Sequence, residues 1–357
     1  SNITELTTGN LWIGADHDAL TSFDGLNNIT YIEGNLHLQY VVPPIHETLV
    51  SLTTIQANMM LEGMEYTDGF TNTLPNLMSL GGLVLNLSRF SDLTNIPFPN
   101  GIVAHDLGLI TLAADVDLTA LESVQEVQGN LNLYGLGHAE INFLSNINTL
   151  GGDLNIGQLQ SITDFAGLRG FTTVGGSLII QQLGKEDLAI VDHIEIIGED
   201  LIIDGNDELN TLFTNTPDVR SVGRHLYIMN NNALVELDTL GPIGEISGLK
   251  IERNQILETL AGADNITAIN GYIYIKDNPA LTSFSGLDNL NLLSDIYLIN
   301  NQALTTLNPI DMQNITFTTN RVVIEDNIAL DPCDFIIRLQ DLGVTNITLE
   351  NNQTQCF

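Results

Sequence analysis

The segments Gly-Asn-Leu-Trp-Ile (residues 9–13), Gly-Asn-Leu-His-Leu (34–38), Gly-Asn-Leu-Asn-Leu (129–133) and Gly-Asp-Leu-Asn-Ile (152–156) follow one pattern. Each has a turn dipeptide followed by alternating apolar and polar residues. The first apolar residue of this pattern, here called the anchor, recurs about every 24 residues. The anchors are Leu11, Leu36, Met59, Leu83, Leu107, Leu131, Leu154, Leu178, Leu201, Leu226, Leu249, Ile273, Ile296, Val322 and Ile347.

Each repeat, or rung, has apolar residues first at alternate positions and then at steps of three. In the rung that begins at Ile273 the predicted inward residues are Ile275, Leu281, Phe284, Leu287, Leu290 and Leu293. One rung is too small to bury these residues alone, whereas stacked rungs bury them against each other. The short strands would then form a parallel sheet with strands about 4.8 Å apart. The sequence therefore predicts an all-β fold, a parallel β-solenoid of about 15 rungs.

Asparagine lies five residues after each of the last seven anchors. These residues are Asn206, Asn231, Asn254, Asn278, Asn301, Asn327 and Asn352. Such an amide can donate to and accept from the turn backbone of its own rung and of the next one. Rungs five to eight have leucine at the same position, at Leu112, Leu136, Leu159 and Leu183.

The spacing of the anchors is unbroken, which predicts a single solenoid domain over residues 1–330. The pattern is irregular over 40–127, where five of the ten prolines lie, and the asparagine-bearing half covers 200–352. Residues 331–357 depart from the repeat and are predicted to form a C-terminal cap over an open sheet edge, built on a short amphipathic helix that ends at Gly343. The apolar residues of this helix are Phe335, Ile336, Leu339 and Leu342.

The two cysteines of the chain, Cys333 and Cys356, both lie in this cap. Their placement favours a disulfide that closes a loop of about 24 residues, which on the chain-entropy model is worth about 3 kcal/mol. A disulfide requires an oxidising compartment and so indicates a secreted or cell-surface protein. The alternative is a pair of reduced, buried thiols.

Acidic residues outnumber basic ones by 44 to 10, so the formal charge is 10 − 44 = −34. This balance excludes nucleic-acid binding, because that function needs a basic surface to neutralise phosphates. It also argues against docking on anionic lipid. The sequence contains no run of about 18 apolar residues, so no membrane insertion is expected.

Two segments carry a resemblance to known repeat families: residues 226–231 (Leu-Tyr-Ile-Met-Asn-Asn) and 246–254 (Ile-Ser-Gly-Leu-Lys-Ile-Glu-Arg-Asn). They resemble the leucine-rich-repeat solenoids and the receptor L-domain right-handed β-helices. Residues 280–287 (Ala-Leu-Thr-Ser-Phe-Ser-Gly-Leu) look like the L-domain-like repeats of bacterial surface proteins and fungal wall proteins. Leucine stands three residues after the asparagine, not two, which favours the β-helix-like geometry. The resemblance implies extracellular recognition or adhesion and supplies no catalytic residues.

The residue after each anchor should point outward, since side chains alternate along a strand. From rung eight to rung fourteen these residues are Ile179, Ile202, Tyr227, Lys250, Tyr274, Tyr297 and Val323. An outward line of apolar and aromatic residues suggests a binding surface. We predict that a partner is anchored by Tyr227, Tyr274 and Tyr297, while Lys250, Tyr272 and Lys276 set its orientation. The alternative is that aromatic and β-branched residues simply favour strands and stack along the ladder.

Catalytic and metal sites find weaker support. The seven histidines lack ligand-like spacing, so zinc is not expected. Aspartates stand before several anchors, and Asp153 with Asp200 could serve a polysaccharide-cleaving β-helix enzyme. Asparagine takes the same position in other rungs, which favours a structural role in the turn. The acidic groups considered for calcium are Asp16 with Asp18, Asp115 with Asp117, and Asp204 with Asp207 and Glu208.

The sequence thus predicts a non-catalytic, extracellular recognition or adhesion module that binds a protein or a glycan on its sheet face. No cofactor is expected, and calcium is a minor interpretation of the acidic groups. Two alternatives stay open at this point. One is a polysaccharide-active enzyme, and the other is a structural spacer or assembly subunit that contacts another copy of itself.

Overall fold

The computed structural model describes residues 3–14, 25–39, 49–62, 74, 76–88, 101–213, 219–237, 240–307, 315–318, 321–354 and 356. The chain forms two compact units, Ser1–Phe171 (unit 1) and Thr172–Phe357 (unit 2). Each unit is a parallel β-solenoid with little helix, so the predicted fold class is confirmed. The prediction of one solenoid domain over 1–330 stays a prediction.

Unit 1 contains, in chain order, β1 Glu5–Leu6, β2 Leu11–Gly14, β3 Tyr31–Ile32, β4 Leu36–Gln39, β5 Thr54–Glu62, β6 Ser79–Ser88, β7 Ile102–Ile110, β8 Val124–Val127, β9 Leu131–Tyr134, β10 Thr149–Leu150 and β11 Leu154–Gly157. Short 3₁₀ turns lie at Thr119–Ser123, Asn142–Leu144 and Ala166–Leu168.

Unit 2 contains β12 Thr173–Val174, β13 Leu178–Gln181, β14 Ile196–Ile197, β15 Leu201–Asp204, β16 Ser221–Val222, β17 His225–Met229, β18 Glu245–Glu252, β19 Ala268–Lys276, β20 Leu292–Ile299, β21 Thr316–Phe317, β22 Val322–Glu325, the helix α1 Cys333–Asp341 and β23 Ile347–Glu350. A 3₁₀ turn lies at Ala189–Val191. None of the helices in the described part of the chain has the length and apolar character needed to span a bilayer.

Within each unit the anchors pair with one another across parallel strands, as in the pairs Leu11 with Leu36 and Leu249 with Ile273. The one predicted alignment that is wrong is between Leu83 and Leu107, because Leu85 pairs with Leu107 instead. The shift is two residues, which matches the period of side-chain alternation, and both anchors, Leu83 and Leu107, are buried. It falls in the range 40–127, where the pattern is irregular.

A strand lies at every anchor, but the number of turns is lower than predicted. Within the described residues the coil makes about 12 turns rather than 15. The segments 15–24, 40–48, 63–73 and 89–100, which follow four of the anchors, lie outside the described residues.

The inward residues form the core, as predicted. In the rung from Ile273 all the predicted inward side chains are buried, from Leu281 at 0% exposed to Leu290 at 2%. In a single rung these side chains would be exposed to water, whereas in the stack they pack against the neighbouring rungs. Burial of apolar surface of this kind is the main stabilising term of the fold.

The asparagines form a buried ladder in unit 2. Asn254 shows the pattern: its Nδ2 donates to the carbonyl of Ile228 at 3.0 Å, and its Oδ1 accepts from the backbone N–H of Asn231 at 3.0 Å. The predicted use of backbone groups is confirmed, but the bonded neighbour is the preceding rung rather than the next. The corner residue before each asparagine is left-handed, as at Arg253 with φ 57°.

The C-terminal segment begins with α1, whose Phe335, Ile336 and Leu339 are buried as predicted. Leu342 lies after the helix and is 52% exposed, so its predicted place on the apolar face is wrong. The reason is that the helix has ended by Leu342, and the chain then turns at Gly343, whose φ is +88°.

The disulfide between Cys333 and Cys356 is confirmed, with Cα atoms 5.1 Å apart. It joins the start of α1 to the segment after β23, the strand that pairs with β22. The helix therefore lies in the segment that connects β22 to β23, and β23 is the last strand of the described sheet. The anchor Ile347 is half-buried there, and the expectation that residues 331–357 cap the last sheet edge stays a prediction.

Candidate functional site

The predicted binding residues lie on one side of the sheet in unit 2 and are all half-buried. Four of them form a row in which Tyr227, Lys250, Tyr274 and Tyr297 pair in succession across β17 to β20. The other two stand two residues away on β19 and so face the same side. We call the set the sheet-face cluster: Tyr227, Lys250, Tyr272, Tyr274, Lys276 and Tyr297.

The structure brings Tyr227 and Tyr272 into contact although they lie two rungs apart. Their hydroxyl oxygens are 3.1 Å apart, and His225 stacks on both rings with centroid distances of 5.4 and 5.8 Å. Asp200 holds the imidazole in place, with Nδ1 2.8 Å from its carboxylate. Since an ionised carboxylate can only accept, Nδ1 carries a proton.

Gly248 leaves the space that His225 and Tyr272 need to stack on each other. It pairs with His225 on one side and Tyr272 on the other. A Cβ at this position would lie 2.9 Å from His225 Cδ2 and 2.9 Å from Tyr272 Cε1. A real side chain would therefore push the two rings apart, whereas glycine leaves a notch across which they stack.

The surroundings of Tyr272 in this notch raise the pKa of its hydroxyl group. Partial burial is the main cause that raises the pKa of its hydroxyl well above that of an exposed tyrosine, and the hydrogen bond with Tyr227 adds to this. The phenol is therefore neutral across the physiological range and can both donate and accept a hydrogen bond at the surface.

Glu252, which is 6% exposed, holds two of the cations of this face. Its carboxylate lies 2.7 Å from Lys250 Nζ and 3.0 Å from an Arg253 guanidinium nitrogen. Lys250 also lies over the Tyr274 ring, 5.5 Å from the centroid. Lys276 pairs in register with Glu252. Lys250 is thus fixed beside the Tyr274 ring.

The row continues from Tyr274 to Tyr297, with ring centroids 6.0 Å apart and an interplanar angle of 42°. Arg321 places its guanidinium 5.7 Å from the Tyr297 centroid. Val323, the next residue of the row, is only 5% exposed. The aromatic surface therefore runs from Tyr227 to Tyr297 and ends there.

No protein-family model and no curated protein matches the chain. Any functional conclusion therefore depends on the geometry of the sheet face and on the sequence pattern that produces it.

The residues before the anchors have a structural role. Asn10, Asn35 and Asp106 each use a side-chain oxygen to accept the backbone N–H of the corresponding residue one rung later, at 2.8 to 2.9 Å. Asp200 does the same for the backbone of His225, at 3.0 Å. Asp200 is therefore engaged by both the backbone and the ring of His225.

Three of the acidic residues considered for calcium, Asp117, Asp204 and Asp207, accept hydrogen bonds. Asp117 accepts from the N–H of Thr119 at 2.9 Å, and Asp204 accepts from the amide of Asn230 at 2.7 Å. Asp16 and Asp18 lie outside the described residues. Within the described ranges, the three potential ligands that lie together are Asp331, Cys333 and Cys356, and the disulfide occupies both sulfurs.

The sequence prediction missed His225 and Gly248 as residues of the face, and it considered Asp200 only as a catalytic carboxylate. The sequence did contain a pattern that could have identified them, because each stands one position before an anchor, as Tyr272 does. Aligning the rungs at that position would have placed all of them on one row. Their contacts across the glycine, however, depend on side-chain directions that the repeat does not specify.

Proposed function

We propose that the chain is a non-catalytic recognition or adhesion module that binds a protein or glycan partner on the sheet-face cluster. The observation that supports this proposal is the concentration of half-exposed rings and cations on one face of an acidic unit. Of the ten basic residues of the sequence, five lie on or directly beside strands β17 to β22. They are Arg224, Lys250, Arg253, Lys276 and Arg321.

Tyrosine suits recognition because it offers a flat apolar face and a hydrogen-bonding tip at a small cost in rotamer entropy. The rings of this face contact each other or a fixed cation, so much of the ordering cost precedes binding. A preorganised surface binds more tightly for the same contact area.

We also propose that the solenoid is of the leucine-rich-repeat or receptor L-domain-like kind and acts outside the cell. The buried asparagine ladder supports the first point, because it matches the order of leucine and asparagine in that resemblance. The disulfide between Cys333 and Cys356 supports the second, since such bonds persist in oxidising compartments.

The test begins with a screen of glycans and surface proteins against the full chain, with and without calcium. For each ligand found, we expect a Tyr227→Ala, Tyr274→Ala, Tyr297→Ala triple variant to bind at least about tenfold more weakly, since truncated anchor residues typically cost 1–2 kcal/mol or more each. The matched control is the Ile179→Ala variant, which truncates an outward residue of the same row two rungs before Tyr227. A folded triple variant with full affinity would refute the proposal.

A further inference from the structure

A second aromatic surface lies in unit 1, on the outward side of its sheet. Trp12, the single tryptophan of the sequence, is 66% exposed on β2. His37 stacks beside it, with ring centroids 6.1 Å apart and an interplanar angle of 26°. The same row continues through Met60 and Val84, which pair in register and are half-buried. We call these four residues the Trp12 platform.

The backbone holds the indole in place. A Cβ added to Gly14 would lie 3.3 Å from Trp12 Nε1 and 3.4 Å from Cε2, so the ring lies close against this glycine. Ring contact with Gly14 on one side and His37 on another restricts the rotamers of Trp12. The platform is thus prepared before any ligand arrives, which lowers the entropic cost of binding.

We infer that the Trp12 platform binds a neutral glycan, with a sugar ring stacked on the exposed face of the indole. The C–H groups on one face of a pyranose pack on an aromatic face, while the indole N–H at the ring edge can donate to a sugar hydroxyl. Four rungs at about 4.8 Å spacing give a row about 14 Å long, which suits a short linear oligosaccharide.

Charge decides between neutral and anionic sugars. Residues 1–171 contain eighteen acidic and two basic side chains, a net charge of 2 − 18 = −16. Glu5 and Glu33, in the strand and turn of the neighbouring ladder, are both exposed. A sulfated or carboxylated glycan would be repelled by this surface, because like charges brought together at an interface disfavour binding. This inference does not depend on the sheet-face cluster, which lies in unit 2.

The test uses the emission of Trp12, which reports on this platform alone because the sequence has no other tryptophan. The probes are cellohexaose, chitohexaose and an α-mannose hexasaccharide, with a heparin hexasaccharide as the anionic comparison. We expect at least one neutral probe to cause a saturable change in emission and the heparin probe to cause none.

Calorimetry on variants then locates the binding. We expect Trp12→Ala to weaken binding of the responding probe about tenfold or more, and Trp12→Phe to retain part of it. The matched control is Met78→Ala, because Met78 is 73% exposed and lies outside the row. The triple tyrosine variant of unit 2 should keep the Trp12 response, so the two proposals can fail separately.

Three results would overturn the inference. The first is that none of the neutral probes changes the emission at millimolar concentration. The second is that Trp12→Ala, folded as judged by circular dichroism, binds as tightly as the unmodified chain. The third is a response to the heparin probe alone, which would assign the platform to an anionic ligand.

Discussion

At the residue scale, the asparagine ladder is the feature most sensitive to a single substitution. Replacement of Asn254 by Ala removes the acceptor of the Asn231 N–H and the donor to the Ile228 carbonyl, both in a buried environment. Each buried group left unpaired costs about 1–3 kcal/mol. We expect Asn254→Ala to lower the free energy of unfolding by about 2–4 kcal/mol, measured by chemical denaturation.

The control for this prediction is Asn232→Ala. Asn232 is exposed and donates only to the surface carboxylate of Asp207, at 2.6 Å. We expect a change within about 0.5 kcal/mol, as for most surface substitutions. Equal losses in the two variants would contradict a special role for the buried ladder.

Tyr272 provides a pH-dependent prediction at the same scale. Its folded-state pKa is raised above the unfolded value of about 10. Its contribution to stability is therefore complete below pH 10 and is lost as the pH rises further, because the unfolded chain releases the proton more readily. We expect the free energy of unfolding to fall less steeply above pH 10 in Tyr272→Phe than in the unmodified chain.

The control is the same comparison at pH 6 to 8, where the Tyr272 phenol stays protonated in the folded and the unfolded state. There the two chains should show the same dependence of the free energy of unfolding on pH. A Tyr272→Phe variant with an unchanged slope above pH 10 would show that the notch does not influence the phenol.

At the element scale, the disulfide ties α1 to the segment that follows β23. Loss of this bond frees a loop of about 24 residues in the unfolded state and should cost about 3 kcal/mol. Ile347, the anchor of the last strand of the described sheet, is only half-buried. We expect reduction to lower the melting temperature and to speed amide exchange first after residue 320.

The Cys333→Ser, Cys356→Ser variant should reproduce both effects without a reductant, while exchange in unit 1 should stay unchanged. Mass spectrometry of native material offers an independent check. Free thiols at both positions would remove the disulfide, and with it the main support for an extracellular location.

At the scale of the whole molecule, the formal charge of −34 is the dominant feature. Self-repulsion destabilises a compact chain and is screened as the Debye length falls from about 30 Å at 0.01 M salt to about 8 Å at 0.15 M. We expect the melting temperature to rise over this range of sodium chloride, by about 2–4 °C for each kcal/mol of repulsion relieved.

Calcium chloride at matched ionic strength is the control for this effect. If charge screening alone acts, both salts should give the same melting temperature, and EDTA should change nothing. A larger rise in calcium that EDTA reverses would instead reveal a calcium site.

Much of this structure could be predicted because a solenoid makes most of its contacts one period apart in the sequence. The period of the anchors therefore determined the fold class, the parallel pairing, the inward residues of each rung and the position of the asparagines. The two cysteines allowed only one intrachain pair. The alternation along each strand also placed Tyr227, Tyr274 and Tyr297 on one face.

Other features were decided only by the tertiary structure. The two-residue register shift at Leu85 was not predictable, because it keeps the apolar pattern intact and so leaves no mark in the sequence. The contact between Tyr227 and Tyr272 spans two rungs and depends on the space that Gly248 leaves between them. The exposure of Trp12 was likewise hidden. The physical reason is that a repeat specifies which face a side chain takes, whereas its rotamer and neighbours depend on the volumes packed around it.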